Sequence, residues 1–165
     1  MMDPKQLKGK EFVIELARRT RFNLEKYSGD YEVTQLINSF TGLLVLPKET
    51  FFDQPFFNDS LIDAKALKKL KNSIKYSRKN GKDDSKNDDL KNIIRKIRNG
   101  ICHGGVSVNG TPSNYLNDPI AIDEIIIEQD YKKGNYKQEF SITLSKDFLK
   151  DLLFQLLNGI IGSLE

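Results

Sequence analysis

The feature that most constrains this chain is a change of hydrophobic period at Gly104 and Gly105. Before the pair, Leu90, Ile93, Ile94, Ile97 and Ile101 recur at the i, i+3, i+4, i+7 spacing of a helix with one buried face. After it, PIAIDEIIIEQ at 119–129 and KQEFSITLS at 137–145 are β-branched runs in which Phe140, Ile142 and Leu144 alternate, the period of a strand with one buried face. The intervening DYKKGNY at 130–136 carries turn residues, so the two runs are expected to form a β-hairpin. The stretch GGVSVNGTPSN at 104–114 reads as turn-rich. Ser145 then offers an N-cap to a last helix carrying Phe148, Leu149, Leu152, Leu153, Leu156, Leu157, Ile160 and Ile161. That apolar face is broad enough to be covered on more than one side.

Upstream the helical period dominates. Residues 6–27 place Phe12, Val13, Leu16, Thr20 and Leu24 on one side of a first helix. SGD at 28–30 is a turn with Asp30 as a candidate N-cap, and Val33, Leu36, Ile37, Phe40, Leu43 and Leu44 define a second helix that ends before Pro47. FFDQPFFNDS, with four phenylalanines around Pro55, reads as an ordered loop that either covers the core or is buried at a subunit contact. The expected class is therefore mainly α, a helical bundle with a β-hairpin inserted before the last helix, in a single domain spanning residues 1–165. No apolar stretch reaches the length of a membrane span and the N-terminus has no apolar signal core, so a soluble, cytoplasmic protein is expected. The single cysteine, Cys102, agrees with a reducing compartment and reads as a small apolar filler.

Charge is distributed unevenly. Residues 61–79 read as a helix with a narrow apolar stripe of Leu67, Leu70 and Ile74, while Lys65, Lys68, Lys69, Lys71, Lys75, Arg78, Lys79 and Lys82 occur with no acid between Ala64 and Lys82. Such a row is either a solvated face or a surface for a polyanion, whose phosphates release counterions when neutralised. The whole chain carries only +3, so the basicity is local. The polar segment 78–89 reads as a mobile loop. Its acids Asp83, Asp84, Asp88 and Asp89 lack the spacing of a Ca²⁺ loop, and Asp88 and Asp89 suit a helix N-terminus, so no metal is assigned.

Arg98, Asn99 and His103, the only histidine, fall within six residues at the end of the helix LKNIIRKIRNGICHGG. One reading is structural: Arg95, Lys96, Arg98 and His103 complement the negative end of the helix dipole, and Gly104 or Gly105 ends the helix in the left-handed conformation. The other is chemical. An arginine that neutralises a phosphate and an imidazole that moves a proton near neutral pH are a minimal kit for cutting RNA without a metal.

Arg98-Asn99-Gly100-Ile101-Cys102-His103, after an apolar helix and before glycine, resembles the R-N-x-x-x-H signature of the HEPN superfamily. The helix DYEVTQLINSFTGLLVLPKE at 30–49 and the hairpin plus apolar helix after the motif are similar to one bacterial branch of it. The resemblance covers most of the chain, with residues 50–89 the least characteristic. It implies a metal-independent endoribonuclease, without cofactor, in which the RNA 2′-hydroxyl attacks its own phosphodiester. Arg98 would hold the phosphate, His103 would serve as general acid or base, and Asn99 would orient His103 or bind phosphate or base. The basic residues Lys65, Lys68, Lys69, Lys71, Lys75, Arg78, Lys79 and Arg95 are the candidate RNA contacts. The implied partners are RNA, a second copy of the chain, and an antitoxin or other regulatory protein in a toxin or phage-defence setting; a noncatalytic interaction or RNA-binding module is the alternative.

Two details qualify the resemblance. Toxins of this kind that are controlled by AMP transfer commonly have a tyrosine two positions after the histidine, where this chain has Gly105, so that modification is not implied. In an unbroken helix residues five apart lie about 140° from one another. Arg98 and His103 then meet one phosphate only if the helix ends between them or if a two-fold dimer supplies both.

Overall fold

In a computed structural model of the chain the described residues are 9–27, 32–45, 55–79, 88–111, 121–133 and 136–165. Helices form where the sequence has a helical apolar period. Helix α1 spans Gly9–Lys26 and buries Val13, Ala17 and Leu24. Phe12, expected on that face, is 40% exposed, because it lies about 100° around the helix from Val13. Helix α2, Glu32–Val45, buries Val33, Leu36, Phe40 and Leu43. The proposed cap Asp30 lies outside the described residues. Phe57 is buried and Phe56 packs on the core, so this pair covers the core; Phe51 and Phe52 lie outside the described residues. A 3-10 turn at Asp59–Leu61 follows, with Asn58 Oδ1 accepting from the Ser60 N–H at 2.8 Å.

Helix α3 is shorter than its lysine row suggests. It spans Ala64–Asn72, with Asp63 Oδ1 accepting from the Ala66 N–H at 2.7 Å, and stops at Ser73. Residues Ile74–Lys79 form strand β1, which corrects the expected helix through residue 79 and places Lys75, Arg78 and Lys79 on a strand. Ile74 and Tyr76 alternate with polar neighbours and pair with Ile142 and Phe140 of the sheet. Pairing on a core row satisfies their backbone and buries Ile74 in part, a gain that outweighs the modest helix preference of lysine.

Helix α4, Leu90–Cys102, begins at Asp89, whose Oδ1 accepts from the Asn92 N–H at 2.8 Å, and buries Leu90, Ile93, Ile94 and Ile97. Asp59 Oδ1 accepts from the Leu90 N–H at 2.6 Å and ties the 3-10 turn to this helix start. Strands β2 (Val106–Thr111), β3 (Ala121–Lys133) and β4 (Tyr136–Ser145) follow. The expected hairpin forms as β3–β4, though residues 130–133 and 136 of its expected turn belong to the strands, and the sheet has four antiparallel strands in the order β1-β4-β3-β2. The segment 106–111, expected to be turn-rich, is its edge strand; Val106 and Val108 alternate against Ile127 and Ile125. A bulge falls between Asn109 and Gly110. One row crosses the whole sheet through Ile74, Ile142, Ile127 and Val106.

Helix α5, Lys146–Leu164, is capped by Ser145, whose Oγ accepts from the Phe148 N–H at 3.3 Å. Its buried residues Phe148, Leu149, Leu152, Leu153, Leu156, Leu157 and Ile160 are too many for one face. They are covered by α1 and α2 on one side and by β3 and β4 on the other. Each fully buried Leu or Ile contributes about 1.5–3 kcal/mol, so α5 is the mainstay of a mainly helical fold around a four-stranded sheet. Among the described residues no helix is long and apolar enough to cross a membrane.

Candidate nucleic-acid site

The site is built on the last turns of α4. Ile93, Ile94 and Ile97 turn to the core, which leaves Arg95, Asn99, Cys102 and His103 on the outer side and Arg98 at the border. Cys102 is exposed and unpaired rather than a core filler, because it sits about 120° from Leu90, at the centre of the apolar stripe. The helix runs without interruption through Cys102. His103 is its C-cap, with φ −97 and ψ 11, and its N–H donates to Asn99 O at 3.0 Å. The chain therefore does not end its helix between Arg98 and His103. They remain about 140° apart around the axis and about 7.5 Å apart along it. Asn99 lies on the arc between them. Arg98 Nε and Nη2 both donate to Asn99 Oδ1, at 3.3 and 2.9 Å, so the structure joins Arg98 to Asn99 and does not bring Arg98 and His103 of one chain together.

The helix ends in a six-to-one and five-to-two pair of hydrogen bonds. The Gly105 N–H donates to Gly100 O at 2.8 Å and the Gly104 N–H to Ile101 O at 3.2 Å, with Gly104 at φ +75, the arrangement that satisfies a helix's last carbonyls when one residue turns left-handed. Apolar side chains usually meet across such a cap. Here the two positions are Gly100 and Gly105, and both lie against β3. Only Gly104 fits the expected role of helix termination. Gly100 and Gly105 let the helix end approach the strand.

The basic residues separate into two groups. Lys65, Lys68 and Lys69 are exposed on α3, and Lys69 Nζ stands 4.3 Å over the Phe148 ring. Lys71 is half-buried, 3.6 Å from Asp59 Oδ2. Lys75 is exposed on β1, and Arg78 and Lys79 continue that strand. Arg95 is exposed on α4, one turn before Asn99, with the motif. β1 and β2 start on the same row at opposite edges of the sheet, three strand spacings or about 14 Å apart. The lysine group thus flanks the motif at a distance instead of surrounding it.

Among the described residues no three His, Cys, Asp or Glu side chains are grouped to hold a metal ion. Asp89 caps α4, and Asp88 pairs with Lys96 at 2.5 Å; Asp83 and Asp84 lie outside the described residues. A depression of about 350 Å³ between α1 and α5, bounded by Arg18, Arg21, Phe22, Glu25, Ile161 and Glu165, includes no motif residue. Glu128 is the neighbour of the site that the sequence reading missed; Lys96, read there as a cation for the helix dipole, pairs with Asp88 instead. Lys96 lies one helical turn beyond Asn92 and eight residues from Asp88, a spacing with no simple helical signature.

Neither a curated protein nor a solved structure matches the chain. A family model described as HEPN pEK499 p136 matches residues 1–162. With the signature at Arg98, Asn99 and His103 on the last turns of an exposed helix end, and a match over nearly its whole length, the chain belongs to the HEPN superfamily.

Proposed function

We propose that this protein is a metal-independent endoribonuclease whose site is completed by a second copy of the chain. The observation that carries the reading is the pairing of an exposed His103 with an Arg98 held by Asn99 on an unbroken helix. One chain offers the two groups on diverging sides; a two-fold axis past the end of α4 would set the Arg98 of one copy beside the His103 of the other. In the reaction the RNA O2′ attacks the adjacent phosphorus, the O2′–P bond forms and the P–O5′ bond breaks, leaving a 2′,3′-cyclic phosphate and a 5′-hydroxyl. The His103 beside that Arg98 takes the proton from O2′, and water protonates O5′ as it leaves. Arg98 holds the non-bridging oxygens as their charge builds up. Asn99, through Oδ1, keeps the guanidinium turned outward before substrate arrives.

On this reading residues 1–165 are one domain, a HEPN helical bundle with the β3–β4 hairpin ahead of its last helix. Lys65, Lys68 and Lys75 track the RNA backbone away from the cleavage point. Membership of the family supports a toxin or phage-defence setting, with an antitoxin or other regulatory protein as partner. The second reading, a noncatalytic RNA-binding or interaction module, is favoured by the divergence of Arg98 and His103 within one chain.

Purified protein incubated with RNA and excess chelator is expected to give fragments ending in cyclic phosphate. Arg98→Ala and His103→Ala should each lower the rate by about 100-fold or more while the fold is kept. Cleavage at wild-type rate by both variants would remove the nuclease reading. No cleavage of any RNA by the wild type would favour the module.

A further inference from the structure

We infer that the backbone of Glu128, on β3, positions His103 by clamping Gly100 and Gly105 on either side of it. The inference rests on the reading of His103 as the proton-transfer group. A Cβ on Gly105 would lie 2.1 Å from Glu128 O and 3.0 Å from its carbonyl carbon. A Cβ on Gly100 would lie 2.7 Å from Glu128 O and 2.6 Å from Ile127 Cγ2. No side chain fits at either position without moving the strand. Contact is reinforced by hydrogen bonds, from the Glu128 N–H to Gly105 O at 2.7 Å and from the Gly105 N–H to Gly100 O at 2.8 Å.

Capping alone does not account for these glycines. A helix end needs one residue at positive φ, and Gly104 supplies it with open space around its Cβ position. A glycine inside a helix weakens it, yet Gly100 occupies the last turn of α4. Both are accounted for by the approach of α4 to β3. His103 lies between them, and its exposed imidazole has no hydrogen bond or ion pair among the described residues. The direction of its Cα–Cβ bond is set by its backbone, which the helix holds through Asn99 O and Glu128 holds through Gly105. Glu128 and the two glycines are positioning residues; they touch no reacting atom.

The test compares Gly105→Ala and Gly100→Ala with Gly159→Ala, a control on α5, away from the motif, whose Cβ would lie 2.5 Å from Leu61 O of the 3-10 turn. His103 is the only histidine, so its imidazole resonances report it without ambiguity. The expected result is a folded Gly105→Ala protein with shifted imidazole resonances and a kcat lower by about 100-fold, the scale of a misplacement of about 1 Å, at a KM within about twofold of wild type. Gly159→Ala should lower thermal stability and leave the imidazole resonances in place. Unchanged resonances and kcat in folded Gly105→Ala would overturn the clamp, as would an equal shift in Gly159→Ala.

Where the alanine variants do not fold, the wild type decides. A protected Glu128 amide with one sharp set of imidazole resonances supports the clamp, and a protected amide with several exchanging His103 conformers overturns it. A wild type that cleaves no RNA would defeat the nuclease reading, while the imidazole measurements would still decide the positioning.

Discussion

Helices α3 and α4 enter the same row of the sheet from opposite edges, and they end differently. α3 passes into β1 through Ser73 alone, at φ −82 and ψ −6, with its N–H on Lys69 O and Leu70 O. α4 passes into β2 through His103, Gly104 and Gly105, with a residue at positive φ, two closing hydrogen bonds and a third to β3. Lys65, Lys68 and Lys69 of α3 stand exposed along a helix that ends without a residue at positive φ, while the arginine, asparagine and histidine of α4 stand by an end that packs two glycines against β3. Attraction to phosphate acts over a Debye length and survives loose geometry, whereas proton transfer needs placement within hydrogen-bond reach. On the proposed reading, the two helix ends divide those two demands between them.

The sharpest way to break the contrast is to mix two inactive variants. Arg98→Ala and His103→Ala proteins, unfolded and refolded together, should recover about a quarter of the wild-type rate, since about half of the dimers are hybrids and each hybrid keeps one of two sites. No recovery would mean that Arg98 and His103 act within one chain, and α4 would lose its claim to a composite site. A smaller effect is expected from Lys65, Lys68 and Lys75 replaced together by Glu. RNA binding should weaken and the slope of log affinity against log salt should flatten by about 2 units, about 0.7 for each of three phosphates. A slope like that of wild type would make α3 a solvated face.

The smallest effect lies away from both helix ends. Glu32, at the start of α2, accepts from Lys150 Nζ at 2.5 Å and lies 3.7 Å from Lys146 Nζ. The hydrogen bond from Lys150 holds its carboxyl below the ordinary value of 4.5; burial opposes it, and the charges of Lys150 and Lys146 add to the lowering. A lowered carboxyl stabilises the fold above its ordinary value, and that contribution disappears as pH falls through the lower folded one. Glu32→Gln should therefore lower stability near neutral pH by about 0.5 kcal/mol, the scale of a solvent-exposed pair, and should flatten the fall of Tm below pH 4.5. Identical Tm profiles for the two proteins would show that the bridge contributes nothing.

Helices with a full apolar stripe were legible in the sequence. Ile93, Ile94 and Ile97 on α4 and Phe148 to Ile160 on α5 are buried as their spacing requires, and Asp89 and Ser145 cap as their chemistry suggests. β1 was hidden because seven of the residues from 65 to 79 are lysine or arginine, which masks the alternation of Ile74 and Tyr76. β2 was hidden because Val106 and Val108 are flanked by turn residues and pair at an edge where burial is slight. The candidate motif residues were picked out by residue type and by resemblance to the family signature. Their support from Glu128 was not, since a contact between a backbone carbonyl and a missing Cβ leaves no trace in residue type except the glycine itself.

The register slip in β2 bears on how copies of this protein can associate. β2 is six residues long and exposed along nearly its whole length, so its free side offers amide and carbonyl groups to any neighbouring strand. Strand addition at such an edge is open-ended, each added chain presenting a fresh edge, and leads to fibres. The bulge between Asn109 and Gly110 leaves four residues in register on one side of it and two on the other, too short a template for steady growth. A strand edge broken in this way is a poor template for open-ended addition.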